Sequence, residues 1–362
     1  MSKYHLLTVQ NIKRETVDAV SVTFDVPKEI QSFFKFIQGQ YVTLKLNIQG
    51  EHITRSYSIC SSPFQIGSFS IGVKKVNQGK ASSFINDSLK IGDKIEVMEP
   101  NGRFYTELDP TNHKQYYLFG GGSGITPMVS IIKAVLEKEP NSTLTLFYGN
   151  RNVESIIFKD ELTQIATTNA SKVKVVHILS DASNDFQSET GIMSKEMNIS
   201  LLQKYAPSDF SHAEFFVCGP EIMMNEAKAA FNSLQIPTDK IHIEYFTAKT
   251  IASDIKPSEA GSGDMPEITS GKSKVTIKYD GNTAIFDMDI KQTILEAALD
   301  AGYDPPFSCM VAACCTCRAK ITNGKVHMDD RESLTDAEIN DGYVLTCQSH
   351  PKTAFVELDY DV

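Results

Sequence analysis

Short runs of alternating polar and apolar residues fill the first third of the chain. Segments such as AVSVTFDV, QYVTLKL, RSYSICS and GSFSIGVKKV have the two-residue period of half-buried β-strands, and turn-forming residues separate them. Many short strands in succession, without helical periodicity between them, are typical of an antiparallel barrel. We therefore predict an antiparallel β-barrel domain over residues 1–112.

The pattern changes near residue 115, where apolar strands begin to alternate with helical segments. YYLFGG, STLTLFYGN, KVKVVHILS and AEFFVCG are the apolar runs, and TPMVSIIKAVLEK and PEIMMNEAKAAFNSL have the spacing of helices that follow them. This alternation predicts a parallel α/β domain over residues 113–248.

The last third of the chain begins with a polar stretch. Residues 249–272 are rich in Ser, Gly, Pro and charge and show no apolar periodicity, which predicts a flexible linker. A hairpin pattern follows, in which KVTIKY and TAIFDM flank DGN, and TILEAALDAG predicts a helix that ends at Gly302. We therefore predict a small third domain over residues 273–362.

Composition and charge exclude several classes of protein. The hydrophobic content of 41% and the charged content of 22% are those of a soluble globular protein. We find neither a run of about 18 apolar residues, as a membrane span needs, nor a signal-peptide core, so we expect a cytoplasmic protein without membrane attachment. The net charge of −10 argues against nucleic-acid binding and favours a basic protein partner.

The cysteines indicate a metal centre in the third domain. Cys309, Cys314 and Cys317 have the spacing CxxxxCxxC, and Cys347 follows after 29 intervening residues. This is the plant-type [2Fe-2S] pattern, in which each iron takes two thiolates. A four-cysteine zinc site is the alternative, although zinc ligands more often come as two short CxxC pairs. Cys315, inside the same loop, is assigned no role.

Two further motifs suit a flavin and a nicotinamide nucleotide. The sequence RSYS, residues 55–58, offers an arginine for a pyrophosphate, an aromatic ring for stacking and a hydroxyl for a ring nitrogen. The sequence GGGSG, residues 120–124, lies between an apolar strand and a helix, where glycines let the backbone approach phosphate. Taken singly, the first motif also fits an ordinary strand and the second a tight turn.

Together these motifs resemble the ferredoxin-NADP reductase family fused to a C-terminal ferredoxin module, as in the reductase components of bacterial oxygenases. The resemblance covers nearly the whole chain. It implies a FAD-binding antiparallel barrel, a parallel α/β NAD(P)-binding domain and a β-grasp [2Fe-2S] domain. FAD is preferred to FMN because KKVNQGKASSFIND resembles the family's second flavin segment. The implied function is electron transfer from NAD(P)H through FAD and the cluster to an oxygenase or hydroxylase protein.

The same resemblance implies roles for individual residues. The hydride-transfer point would be surrounded by Ser58, Cys218 and Glu244. FAD would contact Arg55, Ser56, Tyr57, Ser58, Val73, Lys74, Gly79, Ser82 and Phe246, the last of which would occupy the nicotinamide site until displaced. NAD(P)H would contact Gly121, Gly122, Ser123, Gly124, Thr126, Arg151, Ser180, Cys218, Gly219 and Pro220. The cluster ligands would be Cys309, Cys314, Cys317 and Cys347.

Two positions depart from the family pattern. Ala312 stands where such cluster loops usually carry a glycine two residues before the second cysteine, and a glycine there would allow a positive φ. Asp181 follows Ser180 where NADPH-selective relatives often have an arginine, and an aspartate repels a 2′-phosphate. Arg151 offers a compensating charge, so the sequence leaves the choice between NADH and NADPH open.

Three alternatives to this function remain at the level of the sequence. The chain can serve another di-iron or Rieske oxygenase, or a membrane desaturase, because the motifs specify electron transfer more tightly than the acceptor. It can also be a redox sensor whose flavin and nucleotide lobes no longer work, or a zinc-stabilised interaction module. No HExxH motif or Ser/His/Asp constellation supports a hydrolase.

Overall fold

The computed structural model describes residues 4–206, 209–246, 257–262, 266–307, 309–310, 312, 314–331 and 333–362. These residues form two compact units, Tyr4–Glu244 and Tyr245–Val362. Within the described ranges, no helix is long and apolar enough to cross a membrane.

The first unit begins with an antiparallel sheet that is partly closed into a barrel, as predicted. Its elements are β1 (Tyr4–Thr16), β2 (Ala19–Asp25), β3 (Tyr41–Ile48), β4 (Glu51–Ser58), β5 (Ser68–Lys74), α1 (Lys80–Asp87) and β6 (Lys94–Met98). The strand order is β4-β3-β6-β1-β2-β5. A bridge between Ile59 and Ile71 joins the two edge strands at one end, so the end of β4, which carries the RSYS motif, lies beside β5.

The second half of this unit is a parallel sheet with helical connections, again as predicted. Its elements are β7 (Gln115–Gly121), α2 (Ile125–Lys138), β8 (Thr143–Asn150), α3 (Lys159–Thr168), β9 (Val173–Leu179), β10 (Glu189–Thr190), α4 (Lys195–Tyr205), β11 (Ala213–Cys218), α5 (Glu221–Ser233) and β12 (Ile241–Glu244). The order is β10-β9-β8-β7-β11-β12. The connections leave β7 in opposite directions toward β8 and β11, which places a crevice at the carboxyl ends of β7 and β11.

The barrel and the parallel sheet pack together through a shared core. A Cβ atom at Gly72 on β5 would lie 2.3 Å from Cγ2 of Thr126 at the start of α2. Ser130 of α2 donates a hydrogen bond to the carbonyl oxygen of Ser61 at 2.8 Å, and Lys133 donates to that of Cys60 at 3.0 Å. These contacts fix the segment after β4 and the second half of β5 against α2.

The second unit is a mixed sheet with short helices packed on it, which agrees with the predicted β-grasp fold. Its elements are β13 (Ser258–Ser262), β14 (Lys272–Tyr279), β15 (Asn282–Asp289), α6 (Ile294–Asp300), β16 (Arg318–Met328), α7 (Asp336–Asn340), β17 (Tyr343–Leu345), β18 (Ser349–Pro351) and β19 (Phe355–Asp359). The hairpin β14–β15 turns at Asp280 and Gly281, both with positive φ, as a two-residue hairpin turn requires. β14 also pairs in parallel with β19.

The prediction of a flexible linker over 249–272 needs correction. Residues 249–256 and 263–265 of that stretch lie outside the described residues, but β13 pairs with β16 along its whole length. Ala260 enters the core of the second unit, and Glu259 accepts a hydrogen bond from Lys352 at 3.0 Å. Backbone pairing at a sheet edge needs no apolar periodicity. The polar composition of these residues therefore did not predict β13.

Candidate functional site

The crevice between β7 and β11 is built by close backbone approach. A Cβ atom at Gly124 would lie 2.0 Å from the carbonyl oxygen of Cys218, and one at Gly121 would lie 2.6 Å from Sδ of Met223. Neither position has room for a side chain. Gly122 has φ +52° and accepts a hydrogen bond on its carbonyl oxygen from the hydroxyl of Tyr148 at 2.9 Å. The glycine-rich turn is therefore shaped by neighbours that are distant in sequence.

Three residues predicted to surround the hydride-transfer point lie together at this crevice. Ser58 ends β4, and its hydroxyl donates to Oε2 of Glu244 at 3.3 Å. Cys218 ends β11 and is opposite Glu244 in the register of β11 and β12. Three strand ends from two sheets thus meet at one point.

The Cys218 thiol is uncharged at this point. Complete burial raises its pKa well above the ordinary value, and the nearby Glu244 carboxylate raises it further. A neutral buried thiol is a poor nucleophile. The thiol is therefore suited to shape this point of the crevice, since a thiolate would have to face the Glu244 charge.

The first flavin segment presents a cation and an aromatic ring. Arg55 is exposed, while Tyr57, two residues further along the same strand face, is half-buried. Burial raises the pKa of the Tyr57 phenol, and the charge of Arg55 acts in the opposite direction. The hydroxyl groups of Ser56 and Thr43 are hydrogen-bonded to each other at 2.8 Å. The Ser56 hydroxyl is therefore engaged within the barrel.

The second flavin segment follows β5 and leads into α1. Gly79 precedes the first residue of α1, and the Ser82 hydroxyl is taken up inside this turn, where it accepts from the Val76 amide and donates to the Gly79 carbonyl oxygen, both at 3.2 Å. The first N–H groups of a helix have no partner within it and suit a pyrophosphate. The buried Val73 is part of the barrel core. An arginine, a half-buried ring and a helix N-terminus fit FAD.

A groove of about 570 Å³ runs from the glycine-rich turn across the ends of β8 and β9. Its volume lies within the range of ligand-binding pockets. Of the residues predicted to bind nucleotide, it is lined by Gly121, Gly122, Arg151, Ser180 and Pro220. The Ser180 hydroxyl is 3.4 Å from the carbonyl oxygen of Arg151, to which it donates.

The other five residues predicted to contact the nucleotide do not line this groove; they are Ser123, Gly124, Thr126, Cys218 and Gly219. Thr126 is only 2% exposed, and its hydroxyl donates to the carbonyl oxygen of Ser123 at 2.9 Å. Its methyl group packs where Gly72 leaves space. A Cβ atom at Gly219 would be 3.0 Å from the Gly121 Cα. Thr126 and Gly219 therefore support the turn, and their predicted contact with the nucleotide stays a prediction.

The four cysteines predicted as cluster ligands form two pairs in the second unit. Cys314 is hydrogen-bonded to Cys309, and Cys317 to Cys347. Among the described residues, no three His, Cys, Asp or Glu side chains are placed to hold one metal ion. Two pairs of thiols are what a two-iron cluster requires, since each iron takes two thiolates. The donor set fits [2Fe-2S] better than zinc, which would draw four thiols around a single ion.

Three residues discussed from the sequence, Ala312, Cys315 and Phe246, lie in different environments in the structure. Ala312 has φ +57°, so this loop keeps the left-handed conformation without a glycine, at a cost of about 1–2 kcal/mol. Cys315 donates to the carbonyl oxygen of Ser333 at 3.0 Å, which agrees with a role outside ligation. Phe246 belongs to the second unit and is 42% exposed, and its predicted cover of the flavin stays a prediction.

Sequence reasoning missed two features near the site. Lys74 was predicted to contact FAD, but its ion pair with Asp18 at 3.6 Å and the position of both residues in the groove beside Gly122 were not predicted. On β11 and β12, the Glu214 carboxylate lies between Lys114 and His242. These ion pairs gave no signal in the sequence, because their two members lie up to 100 positions apart.

Family models match all three parts of the chain. The oxidoreductase FAD-binding domain matches residues 6–105, the oxidoreductase NAD-binding domain residues 118–229, and the 2Fe-2S iron-sulfur cluster binding domain residues 277–352. One of the subunits of 1,2-phenylacetyl-CoA epoxidase from Escherichia coli is 35% identical over 100% of this chain and 99% of its own length. The chain belongs to the FAD- and [2Fe-2S]-containing family of ferredoxin-NADP reductase-like electron-transfer reductases.

Other relatives of the reductase align with it over nearly the whole chain. The ferredoxin reductase component of 3-ketosteroid-9-alpha-monooxygenase from Rhodococcus rhodochrous is 30% identical over 99% of this chain and 97% of its own length. The solved structure of phthalate dioxygenase reductase aligns over 98% of both chains with a TM-score of 0.60 at 24% identity, which shows the shared fold. The reductase is therefore an oxidoreductase that uses FAD, a nicotinamide nucleotide and a [2Fe-2S] cluster.

Proposed function

We propose that this reductase supplies electrons from NAD(P)H to the oxygenase component of a phenylacetyl-CoA epoxidase. The observation that carries the electron-transfer part is the meeting of Ser58, Cys218 and Glu244 beside the nucleotide groove. The choice of the epoxidase as electron acceptor rests on the 35% identity, over the whole chain, to a subunit of 1,2-phenylacetyl-CoA epoxidase. The segments CCTCRAK, GYVLTCQ and FYGNR support the same choice, since they resemble the corresponding reductase of that system.

Bound FAD converts the two-electron hydride donation of NAD(P)H into single electrons for the cluster. The residues of the chain supply position. In this proposal the glycine-rich turn holds the nucleotide phosphates, Tyr57 stacks on the flavin ring, and Arg55 pairs with the pyrophosphate. Ser58, Cys218 and Glu244 orient the nicotinamide, and Glu244 holds the Ser58 hydroxyl by their hydrogen bond at 3.3 Å.

Further parts of the proposal concern organisation. We take residues 1–112, 113–248 and 273–362 as the FAD, nucleotide and ferredoxin domains, and the cytoplasm as the location. The ferredoxin domain contains 15 acidic and 8 basic residues, a net charge of −7. This charge suits an oxygenase surface that is basic where the cluster docks.

The acceptor is tested by reconstitution with purified oxygenase components. Reductase, NADPH and phenylacetyl-CoA are combined with the phenylacetyl-CoA epoxidase oxygenase, and the epoxide is measured by mass spectrometry. The 3-ketosteroid-9-alpha-monooxygenase oxygenase with its steroid serves as the comparison. Faster product formation with the first pair supports the proposal. Faster formation with the second would support the alternative, a reductase for a different oxygenase.

The nicotinamide donor is tested at Arg151. This side chain lines the groove next to Ser180, whereas Asp181 does not line it and donates its backbone N–H to the carbonyl oxygen of Arg151 at 2.7 Å. If Arg151 meets a 2′-phosphate, Arg151→Ala lowers kcat/KM for NADPH by roughly tenfold and leaves that for NADH within twofold. Equal losses of kcat/KM for NADPH and NADH would show that Arg151 does not recognise the 2′-phosphate.

A further inference from the structure

We infer that His242 is a positioning residue for hydride transfer, which acts by holding β12 so that Glu244 meets Ser58 and Cys218. This inference rests on the proposed role of Glu244. β12 is a four-residue strand at the edge of the parallel sheet and pairs with β11. Such a short edge strand needs side-chain contacts to keep its last residue in place.

His242 supplies two such contacts. Its ring stacks on that of Phe216, with centroids 4.3 Å apart and planes inclined by 14°. Its Nε2 atom lies 2.8 Å from Oε2 of Glu214. Stacking limits rotation of the ring, and the hydrogen bond fixes the ring along the strand, so together they determine where β12 lies on β11.

Glu214 is itself anchored on its other side. Lys114 donates to Oε1 of Glu214 at 3.0 Å and to the Thr106 hydroxyl at 3.3 Å. Burial acts to raise the pKa of Glu214, but hydrogen bonds from His242 and Lys114 outweigh it and hold the pKa below the ordinary value. The carboxylate is therefore ionised at neutral pH and is a fixed acceptor for His242.

The register connects this group to the reacting point. Phe216 is opposite His242, and the next pair on the same face is Cys218 and Glu244. Alternate residues of a strand point to one face, so the stacked pair is the direct neighbour of the catalytic pair. A shift of β12 relative to β11 would move Glu244 away from Ser58, 3.3 Å away on another sheet.

Three variants of the full-length holoenzyme separate positioning from folding. His242→Phe keeps the stacked ring and removes the hydrogen bond to Glu214, His242→Gln keeps a side-chain donor, and Glu244→Gln removes the carboxylate. The rate of flavin reduction by NADPH and the apparent Kd of NADPH are measured by anaerobic stopped-flow absorbance, and Tm is measured for each variant. The double variant His242→Phe/Glu244→Gln completes a double-mutant cycle.

We expect His242→Phe to lower the flavin-reduction rate by roughly tenfold, since misplacement of a positioning group by an ångström costs up to about 100-fold. The Kd should stay within about twofold, because the groove is intact, and His242→Gln should recover most of the rate. In the Glu244→Gln background, His242→Phe should cause no further loss, because the two residues act through one carboxylate.

Three results would overturn the inference. A wild-type rate for His242→Phe while Glu244→Gln is slow would remove the positioning role and leave the role of Glu244 intact. A tenfold further loss in the Glu244→Gln background would show that His242 acts through general stability. A wild-type rate for Glu244→Gln would instead remove the proposed role of Glu244, and with it the reason for a positioning residue.

Discussion

Substitution of Gly124 by alanine tests whether the turn needs a glycine because its backbone lies against that of Cys218. Gly124 has φ −61° and ψ −8°, which any residue adopts. The new Cβ atom would nevertheless lie 2.0 Å from the Cys218 carbonyl oxygen and 2.8 Å from the Gly219 nitrogen. Any loss therefore comes from the clash and not from the backbone conformation of Gly124.

The size of the effect follows from the overlap. A carbon and a carbonyl oxygen need more than about 3 Å, so either the turn or the end of β11 must move by about an ångström. Overpacking of this kind costs about 1–3 kcal/mol, or roughly 2–10 °C in Tm for a unit of this size. Because Cys218 ends β11 at the proposed hydride-transfer point, we also expect roughly a 100-fold slower flavin reduction.

Gly120→Ala is the matched control in the same turn. A Cβ atom at Gly120 has its nearest neighbour at 3.6 Å, an ordinary contact. Thermal unfolding and anaerobic stopped-flow reduction by NADPH are measured for both variants. We expect wild-type behaviour from Gly120→Ala only. A Tm and a flavin-reduction rate equal to those of wild type for Gly124→Ala would refute the reasoning. The turn would then have room for a Cβ atom where the structure shows none.

Three further predictions concern the cluster, a buried carboxylate and pH. Cys317→Ser should lose the cluster absorbance and keep flavin reduction, whereas Cys315→Ser should keep both; iron analysis and absorbance check this. Glu139 is fully buried and accepts four hydrogen bonds, so Glu139→Ala should lower the free energy of unfolding by about 3–5 kcal/mol in urea titrations. Glu214 has a lowered pKa, so its stabilising contribution is present above about pH 4.3 and is lost as pH falls through the folded pKa. The stability difference between wild type and Glu214→Gln should accordingly shrink in acid and stay constant at neutral pH.

The sequence predicted the features that depend on local pattern. Period-two strands indicated the barrel, strand and helix alternation indicated the parallel sheet, and the spacing of Cys309, Cys314 and Cys317 indicated a cluster loop. In each case, neighbouring residues carry the signal. Gly302, which was predicted to end a helix, indeed follows α6 with φ +82°.

Features that depend on distant partners were not predictable. The strand β13 is polar, and only its pairing with β16 reveals it. The need for glycine at 124 arises from Cys218, 94 residues away in the sequence. Thr126 matched a nucleotide-binding pattern, whereas its packing against Gly72 of the barrel had no signal in the sequence. His242 carried no motif, because its partners Glu214 and Phe216 lie on another strand.

Anaerobic titration of the purified reductase with NADPH, and separately with NADH, followed by absorbance, tests the central claim most directly. The flavin and the [2Fe-2S] cluster absorb in separable parts of the visible spectrum, so the fate of each is read from one experiment. The account predicts that the flavin bands and the longer-wavelength cluster bands both bleach. A colourless protein, or flavin bands that bleach while the cluster bands persist, would contradict electron transfer from nicotinamide through FAD to the four-cysteine centre.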